Sequence, residues 1–329
     1  MARLLLRSPN WLGDAVMALP AVRALRKANP GDALIVAAPA KLAALWRACP
    51  DVAEVVALEQ PRKYRATVPA LRRAKAEAAL LFPNSLRTAL EARLAGIGEV
   101  RALEAGWLRD RLLTDAVARP DFDFNRLHQK YAYLALAAAL GASEADGDDA
   151  DGPYLRVASS GRAGVVLCPG AAYGPAKRWP AERFAEVGRA LLERGLGPVT
   201  VTGAEADAAA CAAVAAAIPG ARNTAGQTPL EEFMAAIAGA RLVVTNDSGA
   251  MHLAAALGTP GAAVFGSTEP RKTGPIAPCV RVVRDHVPCS PCFRRECPLP
   301  ASLGRLACLD RVSADDVIAA CEAALGAAR

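Results

Sequence analysis

The sequence predicts an α/β protein with two parallel-sheet domains, and three observations support this prediction. The chain has 329 residues, which is more than one hydrophobic core usually serves. In both halves, short apolar runs of strand length alternate with helical stretches, as in repeated βα units. One polar segment, residues 143–152 with the sequence SEADGDDADG, lies near the middle of the chain and is typical of an interdomain linker. We therefore expect domains at residues 1–150 and 151–329.

The first domain shows strand and helix patterns in alternation. The predicted strands are Arg3–Arg7, Ala33–Ala38, Ala53–Leu58 and Ala78–Phe82, and the predicted helices are Asp14–Asn29, Lys41–Ala48 and Arg126–Leu140. The last of these helices ends at Gly141, a common C-cap residue.

The second domain repeats the alternation. Its predicted strands are Gly164–Cys168, Pro198–Thr202, Arg241–Thr245 and Gly261–Phe265. Its predicted helices are Pro180–Arg194, Ala204–Ala217, Pro229–Ala238, Gly249–Leu257 and Ser313–Ala328. The last helix is also a candidate to pack back toward the first domain.

Composition and charge limit the classes of function. No apolar run reaches the roughly 18 residues of a membrane-spanning helix, and the apolar stretch after Arg3 is too short for a signal peptide. We therefore expect a cytoplasmic protein. Residues 1–141 carry 21 Lys and Arg against 13 Asp and Glu, whereas residues 162–329 carry 17 against 15. The basic first half indicates either an anionic partner or ordinary surface solubility.

Several common motifs are absent from the sequence. No GxGxxG follows a strand, and there is no GxxxxGK[ST], HExxH or GxSxG. Their absence argues against a dinucleotide dehydrogenase and a P-loop ATPase. Because open α/β sheets bind ligands at the carboxyl ends of their strands, the loops after the strands are the candidate sites.

Asp14 is the candidate catalytic residue of the first domain. It follows the first predicted strand, in the segment SPNWLGD, at the point where a helix begins. Such an aspartate is either the N-cap of that helix or a general base that faces the ligand site. The residue pattern alone leaves both alternatives open.

The loop CPGAAYGPAKRWP, residues 168–180, is the candidate diphosphate site of the second domain. Its glycines leave backbone N–H groups free, and it leads into a helix N-terminus, which attracts anions. Lys177 and Arg178 lie just before that helix. The alternative interpretation is a solvated basic loop.

A second donor-side turn, TNDSGAMH, follows the strand Arg241–Thr245. Gly249 would allow a ligand close to the backbone, and His252 falls on the first helical turn. Because an acidic residue repels phosphate, we expect Asp247 to bond the helix cap or a sugar hydroxyl. Either Asp247 or Ser248 could be the cap. The segment GSTEP at 266–270 adds hydroxyl groups at the same sheet edge.

Four cysteines toward the C-terminal end of the sequence have the spacing C-x2-C-x4-C-x10-C. They are Cys289, Cys292, Cys297 and Cys308, and they are candidates for a structural metal site, reduced thiols or a disulfide. With the basic surface, they suggest a competing class, a non-enzymatic zinc protein that binds nucleic acid. That class would not explain two sheet-edge loops suited to a diphosphate, and the aromatic and basic interleaving of nucleic-acid sites is absent.

Three stretches together resemble the bacterial ADP-heptose:lipopolysaccharide heptosyltransferases of glycosyltransferase family 9. They lie at residues 7–25, 169–180 and 245–275, and the resemblance extends from about residue 3 to residue 320. It implies a GT-B fold, in which two Rossmann-like domains face a central cleft. It also implies an inverting reaction without a metal cofactor and the donor ADP-L-glycero-β-D-manno-heptose. The implied acceptor is the first heptose on Kdo2-lipid A, at the inner face of the cytoplasmic membrane.

The resemblance assigns roles to individual residues. Asp14 matches the proposed base, Lys177 matches a lysine that contacts the donor diphosphate, and Ala172 and Tyr173 replace a hydroxyl pair of some members. The expected donor-binding residues are Gly170, Ala171, Tyr173, Lys177, Arg178, Glu205, Gln227, Asp247, Ser248, Gly249 and His252. Those expected for the acceptor are Asn10, Trp11 and Gly13. The basic segment PRKYR adds Arg62, Lys63 and Arg65, which either meet Kdo carboxylates or core phosphates of the acceptor or form a solvated loop. The alternative within this class is another core heptosyltransferase or nucleotide-sugar transferase of the same fold.

Overall fold

The computed structural model describes residues 2–119, 127–147, 153–159 and 161–327. The chain divides into two compact units, Met1–Arg156 and Val157–Arg329. The division falls just after the predicted linker, of which residues 148–152 lie outside the described residues.

Each unit contains one six-stranded, all-parallel sheet, which confirms the predicted α/β class. The strands of the first sheet are β1 (Arg3–Arg7), β2 (Ala33–Pro39), β3 (Glu54–Leu58), β4 (Ala78–Leu81), β5 (Glu99–Leu103) and β6 (Asp115–Val117). Those of the second are β7 (Val165–Cys168), β8 (Val199–Val201), β9 (Arg222–Asn223), β10 (Leu242–Asn246), β11 (Gly261–Phe265) and β12 (Val280–Arg284). The spatial orders are β3-β2-β1-β4-β5-β6 and β12-β11-β10-β7-β8-β9, so both sheets have the same doubly wound topology.

Helices connect the strands in both units. The first unit has α1 (Leu12–Met17), α2 (Leu19–Ala28), α3 (Ala43–Arg47), α4 (Tyr64–Arg73), α5 (Leu86–Leu94), α6 (Trp107–Asp110) and α7 (Lys130–Ala138). The second has α8 (Ala181–Glu193), α9 (Ala208–Ala216), α10 (Leu230–Gly239), α11 (Gly249–Ala256), α12 (Pro270–Thr273), α13 (Ala307–Asp310) and α14 (Ala314–Ala327). Short 3-10 turns occur at Ala40–Leu42, Glu144–Gly147, Pro175–Lys177, Glu205–Asp207 and Ala301–Leu303. No described helix has the length and apolar content needed to cross a membrane.

Four predicted helices differ from the structure. The predicted helix Ala204–Ala217 is a 3-10 turn followed by α9. The predicted helix Asp14–Asn29 is two helices, with Ala18 between them and Pro20 in the first turn of α2, because proline is disfavoured inside a helix. The predicted helix Lys41–Ala48 is a 3-10 turn followed by α3. The predicted helix Arg126–Leu140 begins at Lys130 within the described residues, and Arg126 lies outside them.

The central strands are buried on both faces, which explains why their sequences are continuously apolar. In the second unit, Trp179 packs edge-to-face on Phe184 at 5.1 Å between ring centroids. Helix α14 packs against α8, β11 and β12 of the same unit. The rigid sheets fix the loops after β1 and β4, and likewise those after β7 and β10, as neighbours at one sheet edge.

Candidate active site

The donor-side site begins where the loops after β7 and β10 meet. Asn246, fully buried at the end of β10, donates from Nδ2 to the carbonyl oxygen of Pro169 at 2.7 Å. Its Oδ1 accepts from the backbone N–H of Trp179 at 3.1 Å. One side chain thus holds both ends of the loop 169–179. The sequence analysis did not single out Asn246.

Lys177 lies at the junction of these two loops. Its Nζ is 2.5 Å from Oδ2 of Asp247, and the two side chains are only 11% and 4% exposed. The hydroxyl of Thr268 donates to the same carboxylate oxygen. The ammonium group also lies 4.7 Å from the ring centroid of Tyr173. The expected phosphate-binding lysine is therefore held in one position by an acidic partner.

The helix cap at this site is Ser248. Its hydroxyl accepts from the backbone N–H of Ala250 at 3.3 Å, at the start of α11. The sequence predicts that Asp247 bonds the cap or a sugar hydroxyl, but it does not identify Lys177 as the ion-pair partner of Asp247. Gly249 is the first residue of α11, and His252 is buried on the same helix.

Gly170 and Arg178 both lie next to a second carboxylate, that of Asp207. Arg178 Nη2 lies 2.9 Å from Oδ1 of Asp207, which is buried. A Cβ atom on Gly170 would lie 2.2 Å from Oδ2 of the same aspartate, so a larger residue would displace that side chain. Arg178 thus has an acidic partner within the protein, and the close approach of that partner to the loop requires glycine at position 170. Ala171, the next residue of the loop, is buried.

The residues expected near ribose and adenine lie at the adjacent strands. Glu205 begins the 3-10 turn after β8, and Gln227 follows β9; both are exposed. The backbone N–H of Gly226 donates to the carbonyl oxygen of Gly203 at 3.0 Å, which joins the two loops. A Cβ atom on Gly226 would lie 3.1 Å from Cα of Glu205. Both expected residues therefore lie at the same edge of the second sheet.

The cysteine-rich segment lies against the donor loop. Tyr173 Oη donates to the carbonyl oxygen of Phe293 at 2.7 Å, and the backbone N–H of Ala176 donates to that of Arg295 at 3.0 Å. The Arg295 guanidinium lies 5.3 Å from the Tyr173 ring centroid. Tyr173 therefore contacts two cations, and the sequence analysis missed Arg295.

The four clustered cysteines are free thiols in the structure, which does not support the disulfide alternative. Burial, followed by the neighbouring Cys289, Cys292 and Cys297, raises the pKa of Cys308 to about 11. Among the described residues, no group of three or more His, Cys, Asp or Glu side chains is arranged to hold a metal ion. The metal alternative for this cluster therefore gains no support from the geometry.

Asp14 occupies the third position of α1 rather than its N-cap. The cap residue is Trp11, whose side chain makes no cap hydrogen bond, so the alternative that Asp14 is the N-cap is wrong. Instead, Oδ1 of Asp14 accepts from Gln129 Nε2 at 2.8 Å. The same amide nitrogen donates to Tyr133 Oη at 3.0 Å. Gln129 and Tyr133 lie more than 100 positions along the chain from Asp14, and the sequence analysis did not connect them.

A cavity of about 500 Å³ opens at the same edge of the first sheet. Four of its lining residues are expected acceptor residues, namely Asn10, Trp11, Arg62 and Lys63. The other lining residues are Pro39, Lys41, Gln60, Pro61 and Arg87. Gly13 and Arg65 are not among the lining residues. Arg65 lies on α4 and is exposed.

The cavity lining is basic. It contains four cationic side chains and no Asp or Glu. Lys41 Nζ lies 5.6 Å from the ring centroid of Trp11. Arg87 Nε lies 3.7 Å from Oε1 of the buried Glu91, whose Oε2 lies 3.8 Å from Nη2 of Arg7. Burial raises the pKa of Glu91, and it lowers that of Arg7 to about 10. The arrangement favours a negatively charged ligand.

Comparison with known proteins agrees with this architecture. The sequence model described as glycosyltransferase family 9 (heptosyltransferase) matches residues 64–302. Lipopolysaccharide heptosyltransferase 2 of Escherichia coli (strain K12) is 32% identical over 311 residues, covering 86% of this chain and 88% of that protein.

Two solved structures extend the likeness to the fold. The structure of E. coli ADP-heptose lps heptosyltransferase II has a TM-score of 0.79 at 28% identity and covers 99% of both chains. That of E. coli heptosyltransferase WaaC with ADP has a TM-score of 0.77 at 21% identity and covers 98% of this chain and 99% of that one.

The two doubly wound sheets, each with its ligand-side loops at one edge, have the GT-B fold of glycosyltransferases. The chain belongs to glycosyltransferase family 9, the heptosyltransferases. The expectations of family, fold class and enzymatic activity are therefore confirmed. Family membership argues against the competing class, a non-enzymatic zinc protein that binds nucleic acid.

Proposed function

We propose that the protein transfers L-glycero-D-manno-heptose from ADP-heptose to the first heptose of the lipopolysaccharide inner core, as a heptosyltransferase of type II. The names of the relatives support the reaction class and the lipopolysaccharide acceptor. One structural observation carries the donor assignment: Lys177 is held at the junction of the loops after β7 and β10. The donor would bind to the second unit, and the acceptor to the first.

On the donor side, Lys177 would bind the diphosphate of ADP-heptose. Charge accumulates on the departing ADP as the bond to the anomeric carbon breaks. A fixed ammonium group and the N-terminus of α11 stabilise that charge without reorganising during the reaction. Asp247 and Thr268 would hold the ammonium group in position. Arg178, Tyr173 and the loop 169–171 would complete the site around it.

On the acceptor side, Asp14 would act as the general base. Its carboxylate takes the proton of the acceptor hydroxyl as that oxygen attacks the anomeric carbon, and ADP leaves from the opposite face. The products are the heptosylated acceptor, ADP and one proton, with the configuration at the anomeric carbon inverted. The hydrogen bond from Gln129 stabilises the ionised carboxylate that a base requires.

The reaction would use neither a resident cofactor nor a catalytic metal, because Lys177 and the helix terminus supply positive charge at the leaving group. The acceptor is a lipid-linked saccharide, so the protein would act as a peripheral protein at the inner face of the cytoplasmic membrane. Other core heptosyltransferases share this donor chemistry, and the acceptor discriminates between them.

An assay with ADP-heptose and defined truncated lipopolysaccharides tests this function. We expect one heptose to be added to heptosyl-Kdo2-lipid A, as measured by mass spectrometry of the product, with release of ADP. Kdo2-lipid A without heptose should remain unmodified. Transfer to that shorter acceptor instead would identify a different core heptosyltransferase. Absence of any ADP-heptose turnover on all acceptors would contradict the proposal.

A further inference from the structure

The cysteine-rich segment, residues 289–308, places an arginine beside the donor loop at residues 168–180. We propose that Arg295 of this segment is a second cationic ligand of the donor diphosphate, and that the ring of Tyr173 holds it next to Lys177. This inference rests on the proposed function, since it concerns the nucleotide-sugar donor of that same reaction.

The two cations of the donor loop itself are neutralised by the protein. Lys177 Nζ lies 2.5 Å from Asp247, and Arg178 Nη2 lies 2.9 Å from Asp207. Each pair is neutral as a whole, so neither brings net positive charge to a diphosphate. A diphosphate is an anion, and its negative charge increases as ADP departs. A further cation at this place would stabilise the charge that the neutral pairs leave unbalanced.

Arg295 has the position and the free charge that this role requires. Its guanidinium carbon lies 5.3 Å from the ring centroid of Tyr173, and Lys177 Nζ lies 4.7 Å from the same centroid. Among the described residues, no acidic side chain forms an ion pair with Arg295. The arginine is also exposed, so a ligand can reach its N–H groups.

Tyr173 contributes its ring rather than its hydroxyl group. The hydroxyl donates to the carbonyl oxygen of Phe293 at 2.7 Å, which ties the tyrosine to the cysteine-rich segment. The aromatic face attracts and orients the guanidinium group of Arg295. The planar fork of an arginine matches two phosphate oxygens at once, whereas a lysine offers a single ammonium group. Arg295 therefore complements Lys177 and does not duplicate it.

The main chain of Arg295 is fixed against the donor loop. The backbone N–H of Ala176 donates to the carbonyl oxygen of Arg295 at 3.0 Å. A Cβ atom on Gly174 would lie 2.5 Å from that same oxygen, so the close approach of the two segments requires glycine at this position. The donor loop and the backbone of Arg295 thus form one packed unit.

Contacts before Arg295 fix the cysteine-rich segment to the loop after β11. The backbone N–H of Phe293 donates to the carbonyl oxygen of Ser267 at 2.7 Å, and Ser290 Oγ donates to that of Gly266 at 2.6 Å. A fixed main chain restricts the places that the Arg295 side chain can occupy. Such preorganisation reduces the entropy that is lost when the side chain binds a phosphate group.

Calorimetric titration of the full chain with ADP and with adenosine tests the inference. Arg295→Gln should weaken ADP binding about tenfold, because a charge-assisted bond to phosphate is lost. Adenosine has no phosphate, so its affinity should not change. Arg295→Lys keeps the charge without the fork and should retain part of the ADP affinity. The matched control is Arg294→Gln, which removes the adjacent exposed arginine and should leave ADP binding unchanged.

Steady-state kinetics and the melting temperature separate a donor role from a role in folding. Arg295→Gln should also lower kcat about tenfold, because the departing ADP carries more negative charge than the bound donor does. The acceptor KM and the melting temperature should not change, since the side chain is exposed.

Three results would overturn the inference. They are wild-type ADP affinity in Arg295→Gln, an equal loss in Arg294→Gln, and an equal loss of adenosine binding, which would indicate a distorted site rather than a lost phosphate contact. Failure of the proposed function would instead appear as absent heptosyl transfer by the wild-type chain, whatever the effect of Arg295 on ADP binding.

Discussion

The cations of the two units differ in how they are paired. In the second unit, Lys177 and Arg178 each contact a buried aspartate, at 2.5 and 2.9 Å. In the first, Lys41, Arg62 and Lys63 surround a cavity without an ion pair to any described residue. The donor loop is thus internally neutralised and fixed, whereas the acceptor cavity retains its positive charge.

This difference indicates two kinds of recognition. A paired, buried cation has a defined position but a weak field at long range, which suits a group that must stabilise charge at one atom. Unpaired, exposed cations attract an anion from a distance and are sensitive to salt. We therefore expect donor binding to depend on geometry and acceptor binding to depend on ionic strength.

The largest effect on turnover should come from replacing the candidate base, Asp14. Asp14→Asn keeps the size of the side chain and can still accept from Gln129. We expect kcat to fall by about 10²–10⁴-fold, with the melting temperature and ADP affinity retained. Steady-state kinetics and calorimetry check this. An early-melting variant that kept its specific activity when folded would show a structural role only.

Replacing Asp247 tests how much the buried Lys177–Asp247 ion pair stabilises the protein. Asp247→Asn removes the counter-ion of Lys177, so we expect the free energy of unfolding to fall by about 2–3 kcal/mol. Urea unfolding followed by tryptophan fluorescence measures it. The matched control is Glu99→Gln, which removes an exposed carboxylate 3.2 Å from Arg101 and should cost less than about 1 kcal/mol. An equal loss of unfolding free energy in the two variants would mean that the Lys177–Asp247 pair stabilises the protein no more than an exposed ion pair does.

Charge reversal in the acceptor cavity should have a moderate effect. Arg62→Glu with Lys63→Glu should raise the acceptor KM about tenfold at low ionic strength, and less at high salt, because the charges are exposed. ADP binding should not change. Arg72→Glu with Arg73→Glu, at the end of α4 and outside the cavity, is the control. A change in ADP affinity in the first variant would place these residues at the donor instead.

Chelation should have the smallest effect. Excess EDTA should leave turnover unchanged, because Lys177 and the α11 N-terminus provide the positive charge at the leaving group. Turnover measured before and after addition of EDTA, with circular dichroism on the same sample, checks this. Activity lost with the fold intact, and restored by a divalent ion, would contradict a metal-free reaction. Unfolding by EDTA would point to the cysteine cluster.

The sequence was sufficient for the strands with continuous apolar runs but not for the short or charged ones. Strands such as β1, β10 and β11 are buried on both faces, so their apolar runs were identified to within about a residue at either end. Strands β5, β6, β9 and β12 were not predicted, whereas the edge strand β3 was. The missed strands are short or contain charged residues on partly exposed faces, as in VRVVR of β12, and such patterns resemble loops.

The candidate site shows the same limit. Lys177 could be predicted because a glycine-rich loop and a helix start lie next to it in the chain. Its partner Asp247 was singled out, but their contact was not foreseen, because it arises from the pairing of β7 with β10. Gln129, Lys41 and Arg87 were missed for the same reason. Lys41 and Arg87 follow β2 and β4, the two strands that flank β1 in the first sheet, and Gln129 lies at the start of α7, so tertiary packing rather than a local sequence pattern places each of them.

The central claim is that the donor binds around Lys177 in the second unit and the acceptor binds in the first. Calorimetric titration of ADP tests it most directly, using wild type, Lys177→Met with Asp247→Asn, and Lys41→Gln with Arg87→Gln. The paired donor-side change removes both charges together, so no buried charge is left without a partner. We predict that this variant loses about 1.5–3 kcal/mol of ADP binding while the cavity variant binds ADP as wild type does. Unchanged ADP affinity in the donor-side variant, or an equal loss in the cavity variant, would contradict the account.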